Sequence, residues 1–524
     1  MTKREESNYN TSSVTKRSIE IIAILVIIIL SLTIISTSMT KPVGRDEQMY
    51  CTGGFLMAQG KMIYRDYSYI AQMPCHPLLY AAVYKATGTK HYLLAGRIIS
   101  TICDILVMIC IFGIYRYVFK ASVVTGTLFG MAGAVLYVFN PLVDYANGYA
   151  WNHDVVILCV MLSLWSFIST DFKKKSAFRR VATMGALLTF ASCMRITTFL
   201  VALLFFVILL SVSAGSFKLK LKNVMLFTAA SFLVLIWPVW VIVNAPKAFY
   251  LNLFKMQVLN SRWLQNIGMV YSKLGLTINS LTLPGYFIIL VLAIYLWIVI
   301  FSFRHNLKIQ DKSKLFLVAL LPVVFFIIAY IPLAIWQQHL AVPVPFIIVS
   351  LAFPFSYLKN QSSEIKFLKY YRVSIILIII CVLVSVAAYP DVLYRIPLVF
   401  APELWTPIKL HRIAKDIAGQ MPERGLILTL APLYAIEGGG DIYTELSCGS
   451  FVYRIGNFLS DEELQITHTV NPKNLSELIS KKPPSAIITN VETELFEKSI
   501  LDSIDKSNWR KKEYENGPNV YFRQ

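Results

Sequence analysis

The stretch VATMGALLTFASCMRITTFLVALLFFVILLSVS, residues 181–213, decides how this chain must fold. Its 33 residues are apolar but for Arg195 and scattered small polar side chains. As one helix, at about 1.5 Å per residue, it would be roughly 50 Å long against a hydrocarbon core of about 30 Å. Two membrane spans meeting at Arg195 fit instead. The arginine then lies at a membrane face, where its charge escapes the cost of burial in lipid.

The rest of the chain has the same character. Of its 524 residues 56% are hydrophobic and only 15% charged, and the mean hydropathy is +0.59. Soluble domains of that composition would leave apolar surface in water, so the expected class is an α-helical polytopic membrane protein. Further runs near 20–38, 93–118, 122–140, 155–170, 224–244, 284–303, 315–334, 341–357 and 373–389 bring the expected total to about eleven transmembrane helices. The first run is too long for a signal-peptide core and lacks a small-residue cleavage site after it, so it reads as a retained span.

Charge placement fixes an orientation. The connections Asp171–Arg180, Lys218–Lys222, Arg304–Lys314 and Lys359–Arg372 are basic, as is the Thr2–Arg17 tail. Short cytoplasmic loops carry such an excess, and with the break at Arg195 all five fall on one side. The N-terminus is therefore expected in the cytoplasm and the C-terminus outside. Orientation signals account for most of the net charge of +19, and no nucleic-acid partner is expected.

This divides the chain into a cytoplasmic tail (1–19), a transmembrane domain (20–400) with a large outer loop at 40–92 and another at 247–283, and an extracytoplasmic domain (401–524). In the first outer loop, Gln48–Gln59 and Pro77–Thr87 place apolar residues at helical spacing beside polar ones, which suits helices lying in the membrane interface. The final segment reads as a small α/β domain. Strands are expected at Gly425–Leu430 and Ser485–Asn490, and helices at Ile408–Met421 and Leu475–Lys481.

The polar residues of the outer face carry the candidate chemistry. Asp46 and Glu47 follow the first span directly. Asp154 opens the fourth span beside Asn152 and His153, where it could be a helix N-cap. Arg97 faces Asp104 two turns along the second span. Arg195 and His339 emerge at the outer ends of later spans. A carboxylate that takes a proton and cations that neutralise a phosphate are what transfer of a sugar from a lipid phosphate to a hydroxyl requires. A lipid-borne substrate also explains machinery placed at the interface, since its tail stays in the bilayer.

The order of these features resembles the GT-C glycosyltransferases of the protein O-mannosyltransferase and aminoarabinose transferase type. The matching elements are Asp46-Glu47 just past the first span, Gly60 with Tyr64 and Asp66 in Gly-Lys-Met-Ile-Tyr-Arg-Asp, a proline-led interfacial helix, Arg97 opening the second span, and His339 followed by Pro343 and Pro345. Ala431-Pro432-Leu433-Tyr434-Ala435 and Glu437-Gly438-Gly439 are similar to the outer domain of bacterial and archaeal members. The resemblance implies an integral glycosyltransferase of a prokaryotic cell membrane that uses a polyprenyl-phosphate-linked sugar donor and inverts the sugar. It implies Asp46 as catalytic base, Asp154 as a second acid, Glu47 as a support that pairs with Arg97, and Tyr64 and Asp66 in a substrate loop. The acceptor class, whether protein, lipid or glycan, stays open. Many members hold the donor phosphate with a Lys-Pro in the first loop, whereas this chain reads Gln72-Met73-Pro74-Cys75-His76-Pro77. Arg195 and His339 are then the expected phosphate-binding residues, with His76 or Lys85 as unranked substitutes for the loop lysine.

Five of the eight cysteines fall in expected spans and act as small apolar residues, while Cys51 and Cys75 share the first loop and leave a disulfide open. His153-Asp154 could hold a divalent ion, but such a pair is more often structural. Neither metal nor cofactor is expected. Two other classes remain: a transporter or flippase with Arg97, Asp104 and Arg195 along a pathway, and an inactive glycolipid-binding relative.

Overall fold

The computed structural model describes residues 3–212, 216–269, 272–303, 312–421, 425–504, 506–515 and 517–523, with the backbone alone at 3–15 and 506. Helix α1 (Lys3–Thr40) leads into α2 (Arg45–Ala58), α3 (Cys75–Thr87), α4 (Tyr92–Val118), α5 (Val123–Val138), the short α6 (Pro141–Ala146), α7 (His153–Ser169), α8 (Ala177–Ser192), α9 (Phe199–Ser211) and α10 (Phe217–Asn244). The second half holds α11 (Pro246–Tyr250), α12 (Met256–Asn266), α13 (Lys273–Leu281), α14 (Pro284–Ser302), α15 (Lys312–Tyr330), α16 (Gln337–Ala341), α17 (Val344–Asn360) and α18 (Ile365–Ala388).

Seven helical stretches among the described residues are long and apolar enough to cross a bilayer: Lys16–Thr40, Tyr92–Val118, Phe217–Asn244, Pro284–Ser302, Lys312–Tyr330, Gln337–Asn360 and Ile365–Ala388. Four expected spans are the shorter helices α5, α7, α8 and α9. The block 181–213 does break at Arg195, which has the extended φ of −138° and ψ of 106° between α8 and a single 3-10 turn leading into α9. The outward faces are apolar: on α10, Leu233 and Val243 are each 70% exposed, a pattern that hydrocarbon satisfies and water does not. Helices α8 and α10 touch so closely that a Cβ on Gly185 would come within 2.3 Å of the Phe227 carbonyl oxygen.

Following the chain shows how the bundle sorts its polar groups. Helix α7 starts at His153-Asp154 and runs away to the basic stretch 171–180, α8 returns to Arg195, and α9 leaves again toward the basic start of α10. Alternation of the later helices brings His339 back to the end occupied by Asp154 and Arg195. The basic stretch Arg304–Lys314 lies largely outside the described residues, as do the side chains of the Thr2–Arg17 tail before Lys16.

Both expected interfacial helices form, as α2 and α3, and they pack against each other at glycine distance: a Cβ on Gly54 would lie 2.5 Å from Tyr80 Cβ. The chain from Asp391 onward begins with α19 (Asp391–Tyr394) and α20 (Thr406–Gln420), and α21 (Pro432–Gly438) follows the first strand. Strands β1 (Leu426–Leu428), β2 (Asp441–Ile442), β3 (Ala486–Thr489), β4 (Trp509–Glu513) and β5 (Asn519–Arg523) form a sheet in the order β2-β1-β3-β5-β4. The pairs β1–β2 and β1–β3 are parallel, and β3–β5 and β4–β5 antiparallel. Both expected strands and both expected helices are present. The helical bundle meets this domain through one apolar cluster, in which Leu433, Ile436 and Cys448 join Met49, Tyr50 and Leu56 of α2, while the strands pack in clusters of their own around Leu428 and Ile487 and around Ile427 and Val520.

One ion pair fixes the first loop to the bundle. The Arg97 guanidinium, fully buried, donates through Nε and one terminal nitrogen to the two oxygens of Glu47 at 2.9 and 2.8 Å. Its remaining hydrogens go to the carbonyls of Ser38, Lys41 and Pro42 at 2.8 to 2.9 Å. Glu47 also accepts from the Gly44 and Ala150 amides at 2.7 and 2.6 Å. The implied pairing of Glu47 with Arg97 is therefore present. Arg97 and Asp104 share the buried side of α4 but do not bond each other: all five guanidinium hydrogens are used, and Asp104 accepts from Tyr137 and the Asn147 amide. Removing one partner strands a buried charge, at a cost of about 3–5 kcal/mol. Glu47→Ala is thus expected to lower the melting temperature of the detergent-solubilised chain markedly, and an unchanged melt would show that this pair does not hold the loop.

Candidate functional site

Three segments converge at the end of the bundle: α2, the connection around α12, and the C-terminal domain. Gln48 of α2 accepts the Leu433 amide at 3.0 Å. Lys247 reaches Glu462 at 2.8 Å and Lys255 pairs with Glu463, tying the connection around α12 to the same domain. Arg45 forms a two-bond pair with Glu492 at 2.9 and 2.8 Å, and Glu492 also accepts from Ser450 at 2.7 Å.

Asp46 sits between Arg45 and Glu47 but faces elsewhere, since consecutive helical residues diverge by roughly 100°. It is half-buried. Burial pushes its carboxyl up to about 6, held back by Arg454 and then Arg45, with a weaker pull from Arg195. Arg454 follows the short turn Ser450–Tyr453 and is 9% exposed. Its guanidinium lies 5.0 Å from the Trp263 ring centre and 4.8 Å from that of Phe451. Its buried Nε has no hydrogen-bond partner among the described residues. Burial draws Arg454 down to about 10, which leaves it charged at neutral pH. A buried cation stacked on aromatic rings with a donor to spare is well suited to an anion.

Arg195 donates to the Asn152 side-chain oxygen at 3.1 Å, and Asn152 in turn donates to the Gln72 side chain at 2.8 Å and the Met194 carbonyl at 3.1 Å. One face of Arg195 is thereby fixed, and its charge acts on Tyr50, Asp154 and Asp46 together. Asp154 is not the N-cap of α7, a position held by Asn152. It lies inside the first turn, where one oxygen accepts the Gly148 amide at 2.9 Å while the other is buried with no partner among the described residues. Both ring nitrogens of His153 are likewise buried and without partners. His339 Nδ1 faces the Trp336 amide at 3.4 Å, which leaves Nε2–H as its donor.

Asp46, Asp154, Arg195 and His339 are therefore brought to one region, through the electrostatic contacts of Arg195 and His153. The two substitutes for the first-loop lysine have different surroundings. His76 is buried among aromatic rings, 4.6 Å from that of Tyr50 and 4.2 Å from that of Tyr80, and burial draws its imidazole down to about 3. It is neutral at physiological pH and cannot act as a phosphate cation. Lys85 is exposed on α3. Tyr64 and Asp66 shape the loop itself: Tyr64 takes the left-handed φ of 65°, is fully buried and donates to the Gln72 carbonyl, while Asp66 accepts the Met62 amide at 2.7 Å and pairs with Arg65. All eight cysteines are free and buried, so Cys51 and Cys75 are not bonded. Arg454 was not legible beforehand. Its only signal is an arginine inside the apolar run Phe451-Val452-Tyr453-Arg454-Ile455, since no motif connects that run to Asp46.

A pathway of intramembrane charges, as a transporter would need, finds little support in these contacts. Arg97 is saturated by Glu47 and backbone carbonyls, and Asp104 is held by Tyr137 and Asn147.

No family model matches the sequence, and no curated protein matches it. Solved structures do. ArnT from Cupriavidus metallidurans bound to undecaprenyl phosphate superposes with a TM-score of 0.59 and 13% identity, over 96% of this chain and 97% of that one. Its apo state gives 0.55 and 13%, covering 98% of each chain. The Archaeoglobus fulgidus oligosaccharyltransferase, tethered with an acceptor peptide, gives 0.50 and 12%, over 96% of this chain and 74% of that one. The chain thus shares the fold of ArnT over nearly its whole length.

Proposed function

We propose that this protein is an integral membrane glycosyltransferase that moves a sugar from a polyprenyl-phosphate donor to a hydroxyl acceptor, with inversion, at the extracytoplasmic face. The observation that carries this reading is Asp46, a half-buried carboxylate whose proton affinity is raised and which faces Arg454, Arg45 and Arg195 where α2 meets the C-terminal domain. The ArnT fold match, made to a structure bound to undecaprenyl phosphate, supports a lipid phosphate as the partner of those arginines. The basic stretches at the opposite end of the bundle support the orientation.

In the proposed step the acceptor hydroxyl gives its proton to Asp46 as its oxygen attacks the anomeric carbon of the sugar. The bond from that carbon to the phosphate oxygen breaks, and its electron pair leaves with the lipid phosphate. Arg195 and Arg454 neutralise the charge that grows there, and His339 donates through Nε2. One displacement needs one base and no covalent enzyme intermediate, so inversion follows. Asp154, with one oxygen unpartnered, is the second acid and positions the acceptor or the sugar. No metal or cofactor is assigned a step.

The deciding experiment incubates the purified protein with a panel of polyprenyl-phosphate sugars and follows release of the lipid phosphate. If none is consumed in the presence of peptide, lipid and glycan acceptors, the enzyme reading fails. With an active donor found, Asp46→Asn is expected to reduce transfer by about 10²–10⁴-fold. The wild-type kcat/KM, which reports the free protein, should rise with pH and level off above about 6, because only the ionised carboxylate accepts a proton. The stability effect has the opposite sign. A carboxyl whose folded pKa is raised costs stability on ionising, between its unfolded value of 3.8 and about 6. Asp46→Asn should therefore melt no lower than wild type at pH 7, and a large drop would recast Asp46 as structural.

Charge-assisted hydrogen bonds contribute about 1.5–3 kcal/mol, or about 10- to 100-fold in affinity. Arg454→Gln and Arg195→Ala should each weaken donor binding by such factors, read as a rise in KM or in the Kd for the lipid phosphate. Donor affinity that is unchanged in either variant removes that arginine from the site.

A further inference from the structure

A second polar cluster lies apart from Asp46, where the C-terminal domain meets the start of α4. His91 immediately precedes α4, His411 is on α20 and Glu437 on α21, so the three come from different parts of the chain. One potential ligand atom from each lies within 4.8 Å of the others. The two imidazole rings stack with centres 3.6 Å apart and planes inclined by 30°. His411 Nδ1 lies 2.6 Å from one Glu437 oxygen, and the other oxygen accepts the Leu93 amide at 2.8 Å.

We propose that His91, His411 and Glu437 bind a divalent transition metal of the zinc class, which clips the C-terminal domain to the start of α4. The donor set is two imidazoles and one carboxylate, the combination that leaves zinc a fourth position for water. The second requirement of such sites, an outer partner that orients a ligand, is met by the Leu93 amide on Glu437. His91 Nδ1 is buried and has no hydrogen-bond partner among the described residues, so a lone pair is available there. The Glu437 side chain is fully buried and that of His411 is 14% exposed, which leaves an approach from solvent.

A tetrahedral ion with bonds of about 2.0–2.1 Å holds its ligands about 3.4 Å apart. The present spacing, within 4.8 Å, reaches that by opening the 2.6 Å His411–Glu437 contact and drawing His91 inward. Lys415, one turn beyond His411 on α20, bears on His91 and opposes a cation there, while the buried Glu437 carboxylate favours one. The proposal is independent of the transfer reaction, and the site takes no part in it.

The test uses the full-length detergent-solubilised chain, freed of metal with a chelator and titrated with Co2+ and then Zn2+. One equivalent of Co2+ should bind per chain and give the visible absorption of a four-coordinate nitrogen and oxygen site, which Zn2+ then abolishes by displacement. Zn2+ should also raise the melting temperature and protect His91 and His411 from diethyl pyrocarbonate, as read by peptide mass spectrometry. His91→Gln leaves Glu437 paired with His411, and this variant and His411→Asn should each lose about tenfold or more in Zn2+ affinity. Absence of the Co2+ band in the wild-type chain overturns the proposal without any variant. So does undiminished Zn2+ affinity in both variants, or protection that falls on other histidines.

Discussion

The arrangement around the candidate site depends first on the buried ion pair of Glu47 and Arg97. A charge pair in a low-dielectric interior survives only when its remaining hydrogen-bonding capacity is also filled. Here that condition is met. Arg97 donates to three carbonyls around the end of α1 as well as to Glu47, and Glu47 receives two amides, one of them the Gly44 amide at the start of α2. The pair thus joins α1, α2, α4 and the segment before α7 at one point. Once Glu47 is committed, the direction of Asp46 is set by helical geometry, and the side chain is turned toward the C-terminal domain.

What faces Asp46 comes from a remote part of the sequence. Arg454 and the Arg45–Glu492 pair belong to the seam between α2 and the C-terminal domain. From the break between α8 and α9, the charge of Arg195 acts more weakly on the same carboxylate. A membrane helix cannot present several arginines to lipid without paying heavily for them. A seam between a bundle and a folded domain can hold them, because aromatic rings such as Trp263 and Phe451 cover the Arg454 guanidinium. The C-terminal domain is therefore a wall of the candidate site, consistent with the apolar cluster that joins Leu433 and Ile436 to α2.

The sequence showed most clearly what depends on short-range physics. The break at Arg195 was legible because a charge in the middle of 33 apolar residues has no acceptable place except a membrane face. Helices α2 and α3 were legible from amphipathic spacing, and β1 and β3 from short apolar runs. Partners distant in sequence were not. Arg97 and Asp104 lie two turns apart on one helix and invite pairing, yet Glu47 and the α1 carbonyls satisfy Arg97 first, and Tyr137 and Asn147 take Asp104. His76 stands beside a proline in the stretch where a phosphate cation was expected. Nothing local reveals that Tyr50, Tyr69 and Tyr80 surround it and keep it neutral. Arg454 was hidden for the converse reason, since an arginine in a short turn becomes informative only when the fold sets it opposite Asp46.

The balance of charge at this seam also bears on when Asp46 becomes a base. Burial raises its proton affinity, and the neighbouring arginines lower it again, leaving the carboxyl at about 6. In the proposed reaction a phosphate enters among those same arginines and cancels part of their pull. A nearby anion also disfavours the carboxylate directly. Both effects act in one direction, so Asp46 holds a proton more strongly in the donor-bound protein than in the free one. Further negative charge gathers on the phosphate as the sugar leaves, and the drive to take the acceptor's proton grows along the reaction. Glu47 cannot share this behaviour, because its oxygens are already bound by Arg97 and two amides. Adjacent carboxylates of nearly equal chemistry are thereby given separate tasks, one locking the loop and the other answering to the ligand.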